Sequence, residues 1–295
     1  MSRIGPISCV TIAAPELQRM IDTYRLYLGY ELVDHGRVLA AQAQLWGRPT
    51  LAGRRYAIML PGGEGTTSFR FVESPASPAY VPFRHLGWNA AELMVQDTDA
   101  VAARLADSPF QVIGPPADLS FSDKIRAMQV LGPARESLYL TSFKEKLPEF
   151  DTPDPTHFID RVFIVILGGR TATELNAFYT HHFDVGTAPV IPGVISVVSK
   201  AHGLPLDTKH ELAAIALTGQ SYIEADTMPA STLPRSHAGE ELPPAISMVS
   251  FGVDRLPETL RWVSEPQLLP QAPYHGRRAA LTVGAAGELI ELIER

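Results

Sequence analysis

One cysteine, Cys9, stands in 295 residues, so no disulfide can close within the chain. That composition suits a reducing compartment, and the expected location is cytoplasmic. No apolar run approaches the ~18 residues of a membrane span. The first residues lack a basic stretch leading into an apolar one, so no secretory leader is expected. Basic patches are missing too, and the net charge is −7, which argues against a phosphate-backbone partner. There is no phosphate-cradling glycine loop, no dinucleotide-binding glycine pattern and no Cys-x-x-Cys pair. Nucleotide cofactors and thiolate metal sites are therefore not expected. Charged residues make up 19% against 45% hydrophobic. That balance excludes a disordered or coiled-coil chain and leaves a globular protein with a substantial core.

What is present is a repeated opening. A short apolar strand is followed by a helix at four places. The first is a strand over 7–12 and a helix over 16–28, with Pro15 at its start and Gly29 at its end. Leu17, Met20, Ile21 and Tyr24 recur at three- and four-residue spacing and make one buried face. The second is a strand over 91–95 and a helix over 98–105, with Asp97 as N-cap. The third is a strand over 162–166 and a helix over 173–181. The fourth is a strand over 246–253 and a helix over 257–263. Each segment closes on another strand, at 68–72, 137–141, 221–225 and 289–293, and strand-like runs at 56–60, 125–131, 194–199, 212–217 and 279–283 lie between.

Anchors on the opening and closing strands test the repeat. Cys9 to Arg70, Ala90 to Tyr139, Arg161 to Glu224 and Met248 to Glu291 are separated by 61, 49, 63 and 43 residues. Long, short, long, short is what a duplicated two-module unit produces. The charged, Pro-containing stretch 144–157 is the expected main boundary, and 226–244 is a second long polar stretch.

Several stretches carry a resemblance. Tyr24-Arg25-Leu26-Tyr27-Leu28-Gly29-Tyr30-Glu31-Leu32 resembles a helix-to-strand turn of the vicinal oxygen chelate superfamily, which holds glyoxalases, bleomycin-resistance proteins and extradiol dioxygenases. Gly287-Glu288-Leu289-Ile290-Glu291-Leu292 resembles its closing strand, and Tyr222-Ile223-Glu224 is a weaker version. The resemblance implies an α+β fold of four βαβββ modules, forming two paired-module domains with curved mixed sheets around a cup. Residues 1–146 would pair modules at about 4–75 and 84–145. Residues 156–295 would pair modules at about 157–228 and 244–295 and hold the ligand.

The superfamily's chemistry implies a divalent metal, held by a histidine on a first strand and a glutamate on a last strand. Period-two alternation places the histidine position at Cys9, Ala90, Arg161 and Met248, or Ser247 in a shifted register. The glutamate position falls at Arg70, Tyr139, Glu224 and Glu291. None of the first four is histidine. Arginine has no lone pair to give a metal, and a thioether is too soft for iron(II) or manganese. No cofactor is expected. A divalent metal held through Glu291 and Glu224 is the alternative.

The expected function is a metal-independent lyase or isomerase acting on an oxygenated hydrophobic or aromatic metabolite in the C-terminal cup. There Arg161 would bind an anionic or enolate oxygen, and Glu224 or Glu291 would act as general acid or base. His275 is a further proton-transfer candidate, and Tyr274, Met248, Phe163, Tyr222 and His202 would contact substrate. The blander reading of the same residues is a structural ion pair closing a relic site. Two other functions stay open: a metal-dependent dioxygenase-like or glyoxalase-like enzyme, and a non-catalytic binder like the bleomycin-resistance proteins. Cys9, Thr11, Arg70, Glu92, Met94 and Tyr139 would line the N-terminal cup, read as a structural half. Trp46, Trp88 and Trp262 read as packing, and His181, His182 and His210 as surface or loop residues. The expected partners are a small-molecule ligand, no nucleic acid and no membrane, with a homodimer left open.

Overall fold

A computed structural model describes residues 1–120, 122–148, 150–235 and 239–295. Module one comprises β1 (Ile4–Ala14), α1 (Leu17–Thr23), β2 (Tyr30–Arg37), α2 (Ala40–Leu45), β3 (Arg55–Pro61) and β4 (Ser68–Glu73). α1 runs on as a wider turn, Tyr24–Leu28, that ends on Gly29 in the left-handed region (φ 74°), where glycine carries no Cβ penalty. Module two comprises β5 (Gly87–Val95), α3 (Thr98–Leu105), β6 (Gln111–Leu119), β7 (Ser122–Leu131) and β8 (Ser137–Phe143). The Asp97 carboxylate caps α3 by accepting from the Asp99 and Ala100 amides.

Module three comprises β9 (Ile159–Gly169), α4 (Ala172–His182), β10 (Ile191–Val194), α5 (Ser196–Ala201), β11 (Lys209–Leu217) and β12 (Ser221–Thr227). The strand expected over 194–199 is instead the end of β10 and most of α5. Module four comprises β13 (Ala245–Val253), β14 (Gln267–Leu268), β15 (Arg278–Val283) and β16 (Leu289–Glu294). The helix expected over 257–263 does not form. Only turns and a bridge from Trp262 to Thr282 occupy it. A segment that short gains few intrahelical bonds against the cost of nucleation.

Two eight-stranded sheets result. Their orders are β14-β15-β16-β13-β1-β4-β3-β2 and β10-β11-β12-β9-β5-β8-β7-β6. In each, a module's first strand runs parallel to its own last strand: β1 with β4, β13 with β16, β5 with β8, β9 with β12. The mixed, curved, four-module architecture agrees with the expected fold class. The pairing of modules does not. β1 pairs antiparallel with β13, and β5 with β9. Module one therefore shares a sheet with module four, and module two with module three. The stretch 144–157 joins two strands of one sheet rather than two domains. Alternating module lengths report a duplication. They say nothing of which strand edges meet, because edge pairing is a long-range contact.

One hydrophobic cluster spans both sheets and their helices, with Tyr24, Phe69 and Phe71 from one side and Trp88, Tyr179 and Phe183 from the other. Reciprocal hydrogen bonds cross this layer. Tyr24 Oη donates to Glu136 Oε1 at 3.0 Å, and Tyr179 Oη to Glu288 Oε1 at 3.2 Å. Each glutamate's second oxygen accepts a nearby amide, Ala134 N at 2.8 Å and Ala286 N at 2.7 Å. Both side chains are buried and neither has an ion pair among the described residues. Burial raises both carboxyls to about 7, and the phenol and amide donors offset only part of that.

A carboxyl raised on folding keeps its proton where the unfolded chain has lost it. Its contribution to stability is fully present below the ordinary value of 4.5 and is lost as pH rises through about 7. The Glu136→Gln/Glu288→Gln variant should therefore melt higher than the parent at pH 8, by up to about 3 kcal/mol per site. The gap should close by pH 5. His210, lowered by burial, tilts both curves in the opposite sense. Thermal denaturation across this range reads the difference, and a gap independent of pH would refute the assignment.

Candidate functional site

The first sheet curls around a cup whose floor is a set of cross-strand pairs. Thr11 of β1 lies beside Arg70 of β4, and Ser250 of β13 beside Glu291 of β16. Arg70 Nη2 donates to Glu291 Oε2 at 3.0 Å, Arg70 Nε to Thr11 Oγ1 at 2.9 Å, and Arg70 Nη1 to Tyr274 Oη at 2.8 Å. Glu291 accepts three more bonds: Ser250 Oγ at 2.5 Å, Trp46 Nε1 at 2.8 Å and Tyr274 Oη at 2.7 Å. Trp46 arrives from the turn after α2, with its ring 4.8 Å from the Arg70 guanidinium carbon. Gly47 (φ 65°) lets that turn pass Val263, which a Cβ would strike at 2.5 Å. Gln42 Nε2 donates to Tyr274 Oη at 3.3 Å.

Nothing in this network reaches solvent. Arg70 and Glu291 are both 0% exposed, and Leu45, Leu51, Met248, Leu269 and Leu281 fill the space above them. Burial alone would raise the Glu291 carboxyl. Arg70 and the hydroxyl, indole and phenol donors outweigh it and hold the group below its usual value. Burial alone would likewise lower the Arg70 guanidinium, but Glu291 reverses that shift and raises it. The first cup is a closed, charge-balanced polar core.

The second cup differs in kind. Register aligns Tyr222 of β12, Ile164 of β9, Glu92 of β5 and Tyr139 of β8 in one row across the sheet. Glu224 and Asp226 follow Tyr222 on the same face of β12. Glu92 is 8% exposed, Asp226 1%, and Glu224 is half-buried. Among the described residues neither Glu92 nor Glu224 has a salt bridge, and the Thr141 hydroxyl offsets only part of the effect of burial on Glu92. Asp226 Oδ1, Tyr139 Oη and Ser137 Oγ are buried without a partner. Burial raises all three carboxyls, and repulsion within the trio adds to it for Glu92 and Asp226. The Tyr139 phenol is raised by burial and then by the same three acids. Glu92, raised to about 8, and Glu224, raised to about 7, exchange protons near neutrality.

A strap crosses the mouth of this cup. The Asp151 amide donates to Tyr222 Oη at 2.9 Å, and Gln220 Nε2 to Asp151 Oδ1 at 2.9 Å. Phe150 meets Tyr222 edge-on at 6.3 Å. Beneath the strap lies a cleft of about 110 Å³, bounded by Met94, Gln96, Phe143 and residues 152–155.

The structure does not gather the expected C-terminal site. Glu291 and Tyr274 lie in the first cup, and Glu224 and Tyr222 in the second. Glu291 and Glu224 therefore stand on different sheets and do not share one cup. Arg161 meets neither glutamate. Its Nη2 donates to Gly219 O at 3.2 Å and to Gln220 Oε1 at 3.5 Å. The residue in register with Met248, Cys9 and Ala90 is Ile164, because Tyr222 faces Ile164 as Leu289 faces Met248. Glu92 pairs with Ile164 and Leu93 with Val162, so one extra residue in β9 breaks the alternation between Arg161 and Ile164. Met248 is apolar packing in the first cup. Phe163 is buried edge-on to Phe143 at 6.2 Å. His275 is exposed at a positive-φ turn (φ 50°). His202 bonds to Ser231 Oγ at 2.8 Å and Phe83 O at 2.9 Å, outside both cups.

The expected N-terminal lining is split as well. Cys9, Thr11 and Arg70 belong to the first cup, and Glu92, Met94 and Tyr139 to the second. Sequence reasoning placed Arg70 facing inward but missed its partner, since nothing local ties β4 to β16. It also missed Trp46 and Asp226 as polar participants.

Over its full length the chain superimposes on glyoxalase I from Zea mays with a TM-score of 0.67 at 13% identity, covering 100% of this chain and 92% of that one. A Bacillus subtilis protein provisionally called a dioxygenase gives 0.64 at 11% identity, with 100% and 86% covered. The chain has the vicinal oxygen chelate fold. Neither a family sequence model nor a curated protein matches it by sequence, and identities this low carry the fold alone.

Vicinal oxygen chelate folds imply a metal in the cup, and the donor sets here do not fit one. The equivalent positions hold Cys9, Arg70, Met248 and Glu291 in the first cup, with the guanidinium already seated on the carboxylate. They hold Ala90, Tyr139, Ile164 and Glu224 in the second. Among the described residues no three His, Cys, Asp or Glu side chains are arranged to hold a metal ion. A buried ion pair with Glu291 is present, made by Arg70 rather than Arg161. No described helix is long and apolar enough to cross a membrane.

Removing one partner of a buried pair strands the other charge, at a cost of about 3–5 kcal/mol. Arg70→Met should lose that much in denaturant unfolding, and adding Glu291→Gln should recover most of it. A single variant as stable as the parent would show that the pair holds nothing together.

Proposed function

We propose that this chain is a small-molecule-metabolising protein, a lyase or isomerase, that works in its second cup and uses its first cup as a structural half. The observation that carries the reading is the contrast between the two. In one cup the buried carboxylate and guanidinium are matched to each other and to their donors and sealed from solvent. In the other, Glu92, Glu224 and Asp226 sit together with raised affinity for protons and no cation beside them. Unmatched buried carboxyls cost stability, and such groups concentrate where a ligand or a reaction uses them.

The chemistry this supports is proton transfer. An ionised carboxylate of the trio removes a proton from the bound molecule, and a proton-bearing neighbour returns one at a second atom. The proton count balances, which suits an isomerisation, or an elimination whose leaving group takes up the proton. The strap of residues 150–155 limits water above the site. No step is routed through a metal. Arg161 has no part in it, since its guanidinium is engaged with Gly219 and Gln220.

A ligand screen by melting temperature, followed by proton NMR of each hit in D2O, tests the reading. Hits should exchange or rearrange an acidic C–H with the parent protein. Glu92→Gln and Glu224→Gln should slow that step about 100-fold or more and leave the Arg70–Glu291 network intact. Hits that bind in the second cup yet stay chemically unchanged would make the protein a binder instead.

A further inference from the structure

We propose that the second cup recognises its small molecule through a primary ammonium group. This rests on the second cup being the working site. Three carboxyls face the cup, from β5 and β12, and among the described residues no positive side chain is paired with them. A neutral ligand could satisfy the unpartnered Tyr139 Oη and Ser137 Oγ. It would not stabilise the ionised form of Glu92, Glu224 or Asp226. A primary ammonium supplies one positive charge and three N–H donors. Asp226 Oδ1, buried and without a donor, is an acceptor such a group would fill. A quaternary ammonium brings charge but no N–H. An inorganic divalent cation needs several converging ligands, and no such triple is arranged among the described residues.

The cleft indicates what the ammonium is attached to. Met94 follows Glu92 on the same face of β5, and Phe143 follows Thr141 on β8, and both border the cleft of about 110 Å³ under the strap. The ligand's charged end sits among the carboxylates and its short apolar body points along Met94 and Phe143. The ring of Tyr139 stands beside the same acids and offers a face to a cation.

Binding is coupled to protons. The cup's titratable neighbours are Glu92 on β5, Tyr222, Glu224 and Asp226 on β12, and Tyr139 on β8. Ile164 and Ile166 of β9 contribute none, and Arg161 lies farther along that strand. The strap adds Asp151, bonded to Gln220, and Lys146 paired with Asp154 at 2.7 Å. An arriving cation favours the ionised carboxylates and expels their protons. Affinity therefore rises with pH, by about tenfold per unit for each proton expelled.

The probe is n-butylammonium chloride, with n-butanol, tetramethylammonium, calcium and magnesium as comparisons, on the full chain. Melting temperature and calorimetry at pH 6, 7 and 8 are the readouts. Butylammonium should raise the melting temperature, bind at least tenfold more tightly at pH 8 than at pH 6, and release protons. Glu92→Gln, Glu224→Gln and Asp226→Asn should each weaken it at least tenfold. Each should also melt above the parent without ligand, which separates lost binding from lost folding. Arg261→Ala, in a surface groove on the other sheet, should change nothing.

An equal response to butanol, a response only to calcium or magnesium, or no response at all would overturn the ammonium assignment. If screened neutral ligands then bind and lose affinity in Glu224→Gln, the working cup survives and only the ligand class fails. If every ligand found is indifferent to Glu92→Gln and Glu224→Gln, the cup reading fails with it.

Discussion

The antiparallel contacts of β1 with β13 and of β5 with β9 decide everything downstream in this molecule. Each module by itself is a curved half-sheet with one exposed edge on its first strand. Closing that edge satisfies a row of backbone groups. It also determines which closing strands face each other across a cup. Because β1 meets β13, Arg70 of β4 reaches Glu291 of β16. Because β5 meets β9, Glu92 and Tyr139 share a sheet face with Glu224 and Asp226. Pairing modules one and two instead would have put Arg70 with Glu92 and Tyr139, and left Glu291 with Glu224.

The two cups then show opposite solutions to one problem. A carboxylate on a closing strand faces a space with little water, where an uncompensated charge costs several kcal/mol. In the first cup an arginine, an indole, a phenol and a hydroxyl surround Glu291, and the carboxylate stays ionised. The result is rigid and sealed, with Trp46 and Tyr274 packed on the guanidinium. In the second cup no cation is supplied, so the acids keep protons instead. A site holding exchangeable protons beneath a strap can respond to a ligand. A saturated network cannot. Buried Glu136 and Glu288 share the protonated solution, but each is tied to a tyrosine and an amide between the sheets. Their protons serve packing rather than a cavity.

How far the sequence went can be followed residue by residue. The buried face of α1, the Asp97 cap, the Gly29 stop and the four closing strands follow from local periodicity and capping chemistry. The module count follows from their recurrence. The inward direction of Arg70, Tyr139, Glu224 and Glu291 follows from period-two alternation, which a strand obeys wherever it is placed. Arg161 shows where that rule fails. One extra residue in the long strand β9, between Val162 and Ile164, breaks the alternation, and no local signal marks it. The helix expected in module four shows the other limit, since a short apolar segment does not reveal whether tertiary contacts will complete a nucleus.

By itself, then, the sequence determined the modules, their faces and the missing histidines, because each of these is decided within a few residues along the chain. Only the tertiary structure decided which modules pair, and with that whether Arg70 or Arg161 neutralises Glu291, and which acids are left without a cation. Those outcomes depend on strand edges far apart along the chain, such as Thr11 with Met248 and Glu92 with Ile164. Their meeting is selected by the burial of a whole face at once, not by any property of the residues that touch.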